Sequence, residues 1–287
     1  MKPPLFDYQA PSTLEEAIAL LAADDDAMVL AGGQSLVPAM NMRLAAPSRL
    51  VDIQHVPGLS GVSVSNGMVT IGAMVRHRDV ELDDSVFKTN PLLREALGHV
   101  AHVPIRNRGT TVGSICHADA AAEMPMILLL TGGSVVAKGP GGTRTIPADQ
   151  FFKFHLTTAR RPDEIVVEVR FPALPEGAGH AFVEFTRRHG DYAIVALGAI
   201  LKKDRNGTVS DISLAACGIS TRPIRLTRAE AALKGTKLTK ADIEAAVEAA
   251  AEAVDSEDDI IATAAYRKHL AGVLLRRSVV IAASRAA

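Results

Sequence analysis

Apolar residues in this chain follow two rhythms, short continuous or alternating runs and stretches spaced at three to four positions, and the rhythms change places repeatedly. Pro11-Ser12-Thr13-Leu14-Glu15-Glu16 opens a helix, because a hydroxyl followed by Glu near the third position can satisfy orphan backbone N–H groups. That helix continues from Ala17 to Ala23 and stops at the acidic turn Asp24–Asp26. Met28-Val29-Leu30-Ala31 reads as a short strand, broken by Gly32-Gly33, with Ser35 placed to cap a helix over Leu36–Leu44. Arg49-Leu50-Val51-Asp52-Ile53 is the next strand.

From Leu59 the texture changes to alternation. Gly61–Val64 and Met68–Ile71 flank Ser65-Asn66-Gly67, whose Asn-Gly pair is a hairpin signal. Helical segments follow near Arg78–Leu82 and Pro91–Val100, then a polar loop region over Arg106–Asp119 and an apolar helix over Pro125–Leu130. A second hairpin turns on Gly139-Pro140-Gly141-Gly142, and Glu164–Phe171 is a strand ended by Pro172. Pro172 to Gly179 is the best linker by its Pro and Gly content. Beyond it Ala181–Arg187, Ile194–Lys202 and Val209–Gly218 are strands, and everything after Pro223 is expected to be helical and Ala-rich. Thr239-Lys240-Ala241-Asp242 forms a capping box before Ile243–Val254, and Ile261–Arg285 carries apolar residues at helical spacing. The pattern predicts an α+β protein: two mixed lobes over about 1–55 and 56–175, then antiparallel sheet plus helices over 176–287.

Composition narrows the function. The 31 Lys+Arg against 32 Asp+Glu leave a net charge of −1, which argues against a phosphate-backbone binder. With no Trp and 4% aromatics the chain makes a poor platform for stacking bases. Cys116 and Cys217 are too few for an iron–sulfur cluster or a usual structural zinc site, and without a disulfide framework the expected compartment is the cytoplasm. The N-terminal residues lack a signal-peptide apolar run, and the longest candidate for a membrane span, around Ala271–Ala283, is interrupted by Arg276 and Arg277 and is too short.

Three stretches could carry chemistry. In Leu30-Ala31-Gly32-Gly33-Gln34-Ser35-Leu36 the glycines remove the Cβ atoms that would block an anion, so the N–H groups of Gly33, Gln34 and Ser35 could face a phosphate; an ordinary glycine turn is the alternative. Arg106 to Ser114 offers glycines, hydroxyls and cations suited to a second diphosphate cradle, with Asp119 able to hold a sugar or ribityl hydroxyl; a plain polar connection is the alternative. In Arg187-Arg188-His189-Gly190-Asp191-Tyr192-Ala193 the tyrosine could cover a planar ring or simply pack on the sheet. Neither a Walker loop nor Gly-x-Gly-x-x-Gly nor Gly-x-Ser-x-Gly occurs. His117, Asp119 and Glu123, like the pair His99 and His102, match no standard metal spacing, and Cys116 beside His117 reads as an inert thiol rather than an activated one.

Taken together and in order, Ala31–Leu36, Thr110–Asp119 continuing to Glu123-Met124-Pro125, and Arg188–Ala193 resemble the FAD-binding medium subunit of the molybdenum hydroxylases, the carbon monoxide dehydrogenase/xanthine dehydrogenase family. Phe6-Asp7-Tyr8, Leu50–Ile53 and Tyr266-Arg267 with Leu274–Arg277 fit the same pattern, so the likeness spans the chain. The resemblance implies a two-lobed flavin-binding domain of the vanillyl-alcohol-oxidase/PCMH type over 1–175 and a CO-dehydrogenase-flavoprotein-type C-terminal domain over 176–287. It implies FAD held by Ala31, Gly32, Gly33, Gln34, Ser35, Leu36, Thr110, Thr111, Gly113, Ser114 and Asp119, with Tyr192 against the ring and no catalytic base or metal on this chain. It further implies an iron–sulfur small subunit with [2Fe-2S] clusters and a large subunit with the molybdenum cofactor, assembled as a dimer of heterotrimers; FAD would pass electrons from the clusters to an external acceptor. Val112 stands where the family commonly has glycine in the ungapped match, which motivates a second reading, a scaffold subunit of the same fold without tight FAD binding. A third is a stand-alone flavoprotein oxidase.

Overall fold

The computed structural model describes residues 1–287. The first lobe comprises β1 (Asp7–Gln9), α1 (Leu14–Ala22), β2 (Met28–Leu30), α2 (Leu36–Asn41) and β3 (Arg49–Asp52). Its strands run parallel in the order β1-β3-β2. Thr13 caps α1 by accepting from the Glu16 N–H, while Glu16 Oε2 accepts from the Ser12 N–H, and Ala17, Ile18 and Leu21 face inward. The Gly32-Gly33 turn thus leaves the carboxyl end of a parallel strand, the edge where open α/β sheets receive ligands. Two expectations fail here. Ser35 makes no side-chain capping bond, and α2 stops at Asn41 instead of Leu44.

The second lobe contains β4 (Val62–Ser65), β5 (Met68–Gly72), α3 (His77–Leu82), α4 (Asp84–Thr89), α5 (Pro91–Leu97), α6 (Val103–Arg106), α7 (Thr111–His117) and α8 (Glu123–Leu130). There follow β6 (Ser134–Gly139), β7 (Gly142–Pro147), α9 (Ala148–Phe151), β8 (Phe152–Phe154), β9 (Thr157–Thr158) and β10 (Ile165–Pro172). Five of these strands form an antiparallel sheet ordered β4-β5-β10-β6-β7, and β8 and β9 make a separate ribbon. Asn66 and Gly67, at φ 50° and 70°, make the first hairpin turn as their sequence predicts. The stretch expected to be a loop over Arg106–Asp119 is largely helical, because Thr110 caps α7 through a 3.0 Å bond from the Gly113 N–H.

Beyond Pro172 come β11 (Gly179–Phe185), β12 (Val195–Lys203), β13 (Val209–Cys217), β14 (Ile224–Arg225), α10 (Thr227–Leu233), α11 (Lys240–Ala251) and α12 (Ala264–Arg285). The sheet is antiparallel in the order β11-β12-β13-β14, and the capping box at Thr239 and Asp242 forms as expected. The short β14 corrects the expectation that everything after Pro223 is helix.

This sheet is buried on both faces. Along β12, Val195, Leu197, Ala199 and Leu201 pack into a core with α10, α11 and α12, whereas Ala196 and Ile200 join the core of the first two lobes. The second face is covered by α8, all eight of whose residues are buried. Its close approach is enabled by Gly198, where a Cβ would lie 2.5 Å from Leu130. No helix is long and apolar enough to cross a membrane.

Candidate functional site

The two glycine-bearing segments, some seventy-five residues apart in sequence, meet backbone to backbone. A Cβ on Gly32 would stand 2.5 Å from the Arg108 carbonyl oxygen and 2.9 Å from the Thr110 nitrogen. Gly33 sits at φ 71°, a left-handed conformation that glycine adopts without steric cost. Outside regular elements, the N–H groups of Gly32, Gly33, Gln34 and Ser35 reach no backbone acceptor, and neither do those of Thr110 and Val112. Unpaired N–H groups concentrated on two adjoining turns are free to donate to an anion. Around it, Gln34 Nε2 donates to the Gly32 carbonyl at 3.3 Å, and Leu36 begins α2.

Buried groups hold the second turn in place. The Gly109 carbonyl accepts from the His77 N–H at 2.9 Å, Thr111 N–H donates to Val75, and Thr111 Oγ1 lies 3.2 Å from His77 Nδ1. Burial, with Arg106 nearby, lowers the His77 pKa to about 4, so this imidazole is neutral near pH 7 and serves as a fixed hydrogen-bonding partner. A Cβ on Gly113 would touch Thr110 Oγ1 at 2.6 Å, so glycine there keeps the cap intact. Val112 is 2% exposed and belongs to the hydrophobic core, so its side chain is turned away from the donor surface. The Cβ that motivated the scaffold reading therefore does not line the turns. Ser114 is half-buried on α7.

At the end of α7, Ala118 adopts φ 53° and turns the chain into Asp119, whose Oδ1 accepts from the Ala121 N–H at 2.8 Å. Tyr192 reaches the same region from the β11–β12 connection. Desolvation first, then the Asp119 and Glu123 carboxylates, push its hydroxyl up to about 12, and the Ser35 side chain acts in the other direction. Ser35, Asp119 and Tyr192 are thus brought together from three parts of the chain, with half of the tyrosine's surface left open.

Three contributors went unassigned in the sequence. His77 and Arg267 are buried polar groups that hold backbone carbonyls or hydroxyls, and nothing in their local sequence separates them from surface residues. Glu184 is different. It lies two residues from Phe182 on β11, so strict alternation points it to the same inward face, and a carboxylate at an inward position is a readable signal. Cys116 is an inert thiol, raised to about 11 by burial.

Unpaired backbone donors gathered at the end of a parallel strand, where open α/β sheets receive ligands, fit a protein that holds an anionic cofactor. Residues 4–174 match the family model described as FAD binding domain in molybdopterin dehydrogenase, and 180–281 match that of the CO dehydrogenase flavoprotein C-terminal domain. The chain is 42% identical over 287 residues to the 6-hydroxypseudooxynicotine dehydrogenase complex subunit alpha of Paenarthrobacter nicotinovorans, covering 100% of this chain and 97% of that one. Among solved structures it is similar to a carbon monoxide dehydrogenase from Hydrogenophaga pseudoflava, with a TM-score of 0.97, 38% identity and 100% coverage of both chains. It is likewise similar to quinoline 2-oxidoreductase from Pseudomonas putida 86, with a TM-score of 0.94, 38% identity and 99% coverage of both chains. The chain belongs to the FAD-binding medium subunits of the molybdenum hydroxylase family, and it is an oxidoreductase subunit whose cofactor is FAD.

Proposed function

We propose that the turns at Ala31–Leu36 and Thr110–Ser114 together hold the FAD diphosphate, that Asp119 accepts a hydrogen bond from a ribityl or sugar hydroxyl, and that Tyr192 covers the flavin ring. The observation that carries this reading is the set of unpaired N–H groups on Gly32, Gly33, Gln34, Ser35, Thr110 and Val112, gathered where Gly32 lets the two segments touch. Ala31 and Leu36 frame the first turn. Thr111 and Gly113 fix the second through His77 and the Thr110 cap, and Ser114 is the last residue of that segment. Asp119 has one oxygen committed to the Ala121 N–H and its other free of protein donors. When bound, FAD supplies two-electron redox chemistry. This chain's residues position it, exclude water from the turns and leave one edge open.

In the assembly, the chain accepts electrons from an iron–sulfur small subunit beside a molybdenum-binding large subunit and passes them to an external acceptor, as a dimer of heterotrimers. The names of the relatives, a dehydrogenase-complex subunit and a medium chain, support partner subunits. We place the domain boundary at residues 175 and 176, between β10 and β11. Two free cysteines, with Cys217 buried, support a cytoplasmic location.

Titration of the purified chain with FAD, followed by flavin fluorescence quenching, tests the site. Gly32→Ala forces the turns apart. An overpacking cost of about 1–3 kcal/mol corresponds, if borne by the bound state, to FAD binding weaker by roughly fivefold to 150-fold. Unchanged affinity in Gly32→Ala, with the variant folded, would remove the diphosphate cradle from these turns.

A further inference from the structure

The connection between β11 and β12 carries Tyr192, and its own bonds are few. Its base is closed by a 2.9 Å bond from the Ile194 N–H to the Phe185 carbonyl. Between those two residues one backbone hydrogen bond forms, from the Asp191 N–H to the Arg188 carbonyl at 3.1 Å. Gly190, at φ 88°, is the third residue of that turn, a position that favours glycine. A second requirement falls on the same glycine. A Cβ there would stand 2.6 Å from His102 Cε1 and 2.9 Å from each His102 ring nitrogen, so the imidazole fills the space a side chain would take. The His189 ring lies edge-on to the same imidazole, with centroids 6.1 Å apart.

His102 belongs to the FAD-binding domain, at the N-cap of α6, where its side chain makes no capping bond. The backbone that presents it has an uncommon shape. Ala101 adopts φ 45°, a left-handed conformation that residues with a Cβ rarely take. Arg106, 6% exposed, donates through Nη1 to the Val100 carbonyl at 2.8 Å and the Ala101 carbonyl at 3.2 Å, while its Nε donates to Glu81 Oε2 at 2.9 Å. A buried, ion-paired arginine thus fixes a strained turn, and the next residue reaches across to the tip of the Tyr192 connection.

We propose that His102 is a positioning residue for the flavin: seated on Gly190, it fastens residues 186–193 so that Tyr192 stays over the ring. Arg267 holds the base of the connection at the Ile194 carbonyl, and His102 holds its tip. Without the imidazole only the turn bond organises the tip, and the connection opens at low cost, carrying Tyr192 off the ring. No bond to the cofactor is asked of His102. Its contribution is the packing of a flat ring against a residue that has no side chain. Gly190 and His102 therefore act as a unit, and substitutions at the two positions should not add. The link to the flavin rests on the FAD reading, whereas the fastening of the connection does not, and the tests separate them.

The first test uses the full chain without cofactor. Arg187 and Arg188 are exposed on the connection, so limited trypsin digestion, read by mass spectrometry, reports how often it opens. Cleavage there should be several-fold faster in His102→Ala than in wild type, and His102→Phe, which keeps a flat ring, should restore the slow rate. Gly190→Ala should also speed cleavage, and the double variant should be no faster than the faster single one. Equal rates in wild type and His102→Ala, or a His102→Phe chain cut as fast as His102→Ala, would overturn the fastening. The second test loads the same proteins with FAD. A tyrosine against the isoalloxazine quenches its emission, so bound FAD should be brighter and leave several-fold faster in His102→Ala, at an unchanged thermal midpoint. Emission and release matching wild type would overturn the link to Tyr192, and a midpoint that falls in step with retention would reduce His102 to a stability residue. Failure of the chain to take up FAD at all, with the cleavage difference present, would count against the cofactor reading and leave the fastening standing.

Discussion

Val112 and Gly113 are neighbours with opposite requirements. A glycine is needed at 113 because a Cβ would collide with the capping hydroxyl of Thr110, whereas the side chain at 112 fills the core. A residue-by-residue comparison can flag valine in place of glycine, but only the helical phase of α7 tells which way that valine points. Glu123 makes the same lesson quantitative. In the fold it holds its proton to about pH 8, while an unfolded chain releases it near the ordinary 4.5. Between those values the unfolded state binds fewer protons, so this residue's contribution to stability is complete below about 4.5 and is lost as pH rises to about 8. The slope is up to about 1.4 kcal/mol per pH unit. Denaturant unfolding of the cofactor-free chain should therefore show Glu123→Gln gaining on wild type as pH rises from 5 to 8. Parallel behaviour of the two proteins over that range would mean the carboxyl is already ionised in the fold.

At the scale of elements, the connection between β11 and β12 matters because it carries Tyr192. One buried side chain pins its far end. Arg267, in the first turn of α12, donates to the Ile194 carbonyl at 2.6 Å and the Gly218 carbonyl at 2.9 Å, and its second amino group reaches Asp259 at 2.7 Å. Gly218, at φ 78°, has no room for a Cβ because the Ile194 carbonyl would lie 2.4 Å away. Methionine at 267 would keep most of the bulk and leave both carbonyls without a donor, at a cost of roughly 3 kcal/mol. Arg267→Met should lower the denaturation midpoint and weaken FAD binding together, since the freed connection no longer presents Tyr192 in one place. A lower midpoint with unaltered FAD affinity would show that the tyrosine is held by something else.

At the scale of the whole molecule, the hydrophobic cores do not respect the sequence boundary. Phe182, Ala196, Ile200, Ala215 and Cys217 lie beyond the Pro172–Gly179 linker and yet join the core built on α8 and the five-stranded sheet. Backbone bonds cross too: Gly218 N–H donates to the Ala120 carbonyl at 2.9 Å. Such a seam resembles a core more than a contact between independent domains. Calorimetry of the full chain should give one cooperative transition. A chain ending at residue 175 would expose the apolar face of α8 and should aggregate or bind a hydrophobic dye. Two well-separated transitions, or a monomeric and soluble 1–175 fragment, would contradict that account.

Much of this was legible along the chain because it depends on neighbours in sequence. The Asn66-Gly67 turn, the capping box at Thr239, the α12 helix and the Pro-rich break before β11 are local preferences that tertiary packing did not override. The two glycine segments and Tyr192 could likewise be named from their types and order. Other features needed contacts from distant parts of the chain. Ser35 carries the right residue type for a cap and makes no capping bond, and the α7 helix stands where a polar loop was expected because His77 and the Thr110 cap fix it. The sequence by itself determined most of the elements, their order and the residue types at the two glycine segments. Only the tertiary structure decided that Gly32 meets Thr110, that Val112 faces inward and that Glu123 is buried. Burial and the distance between remote groups are properties of the folded chain, and no local pattern encodes them.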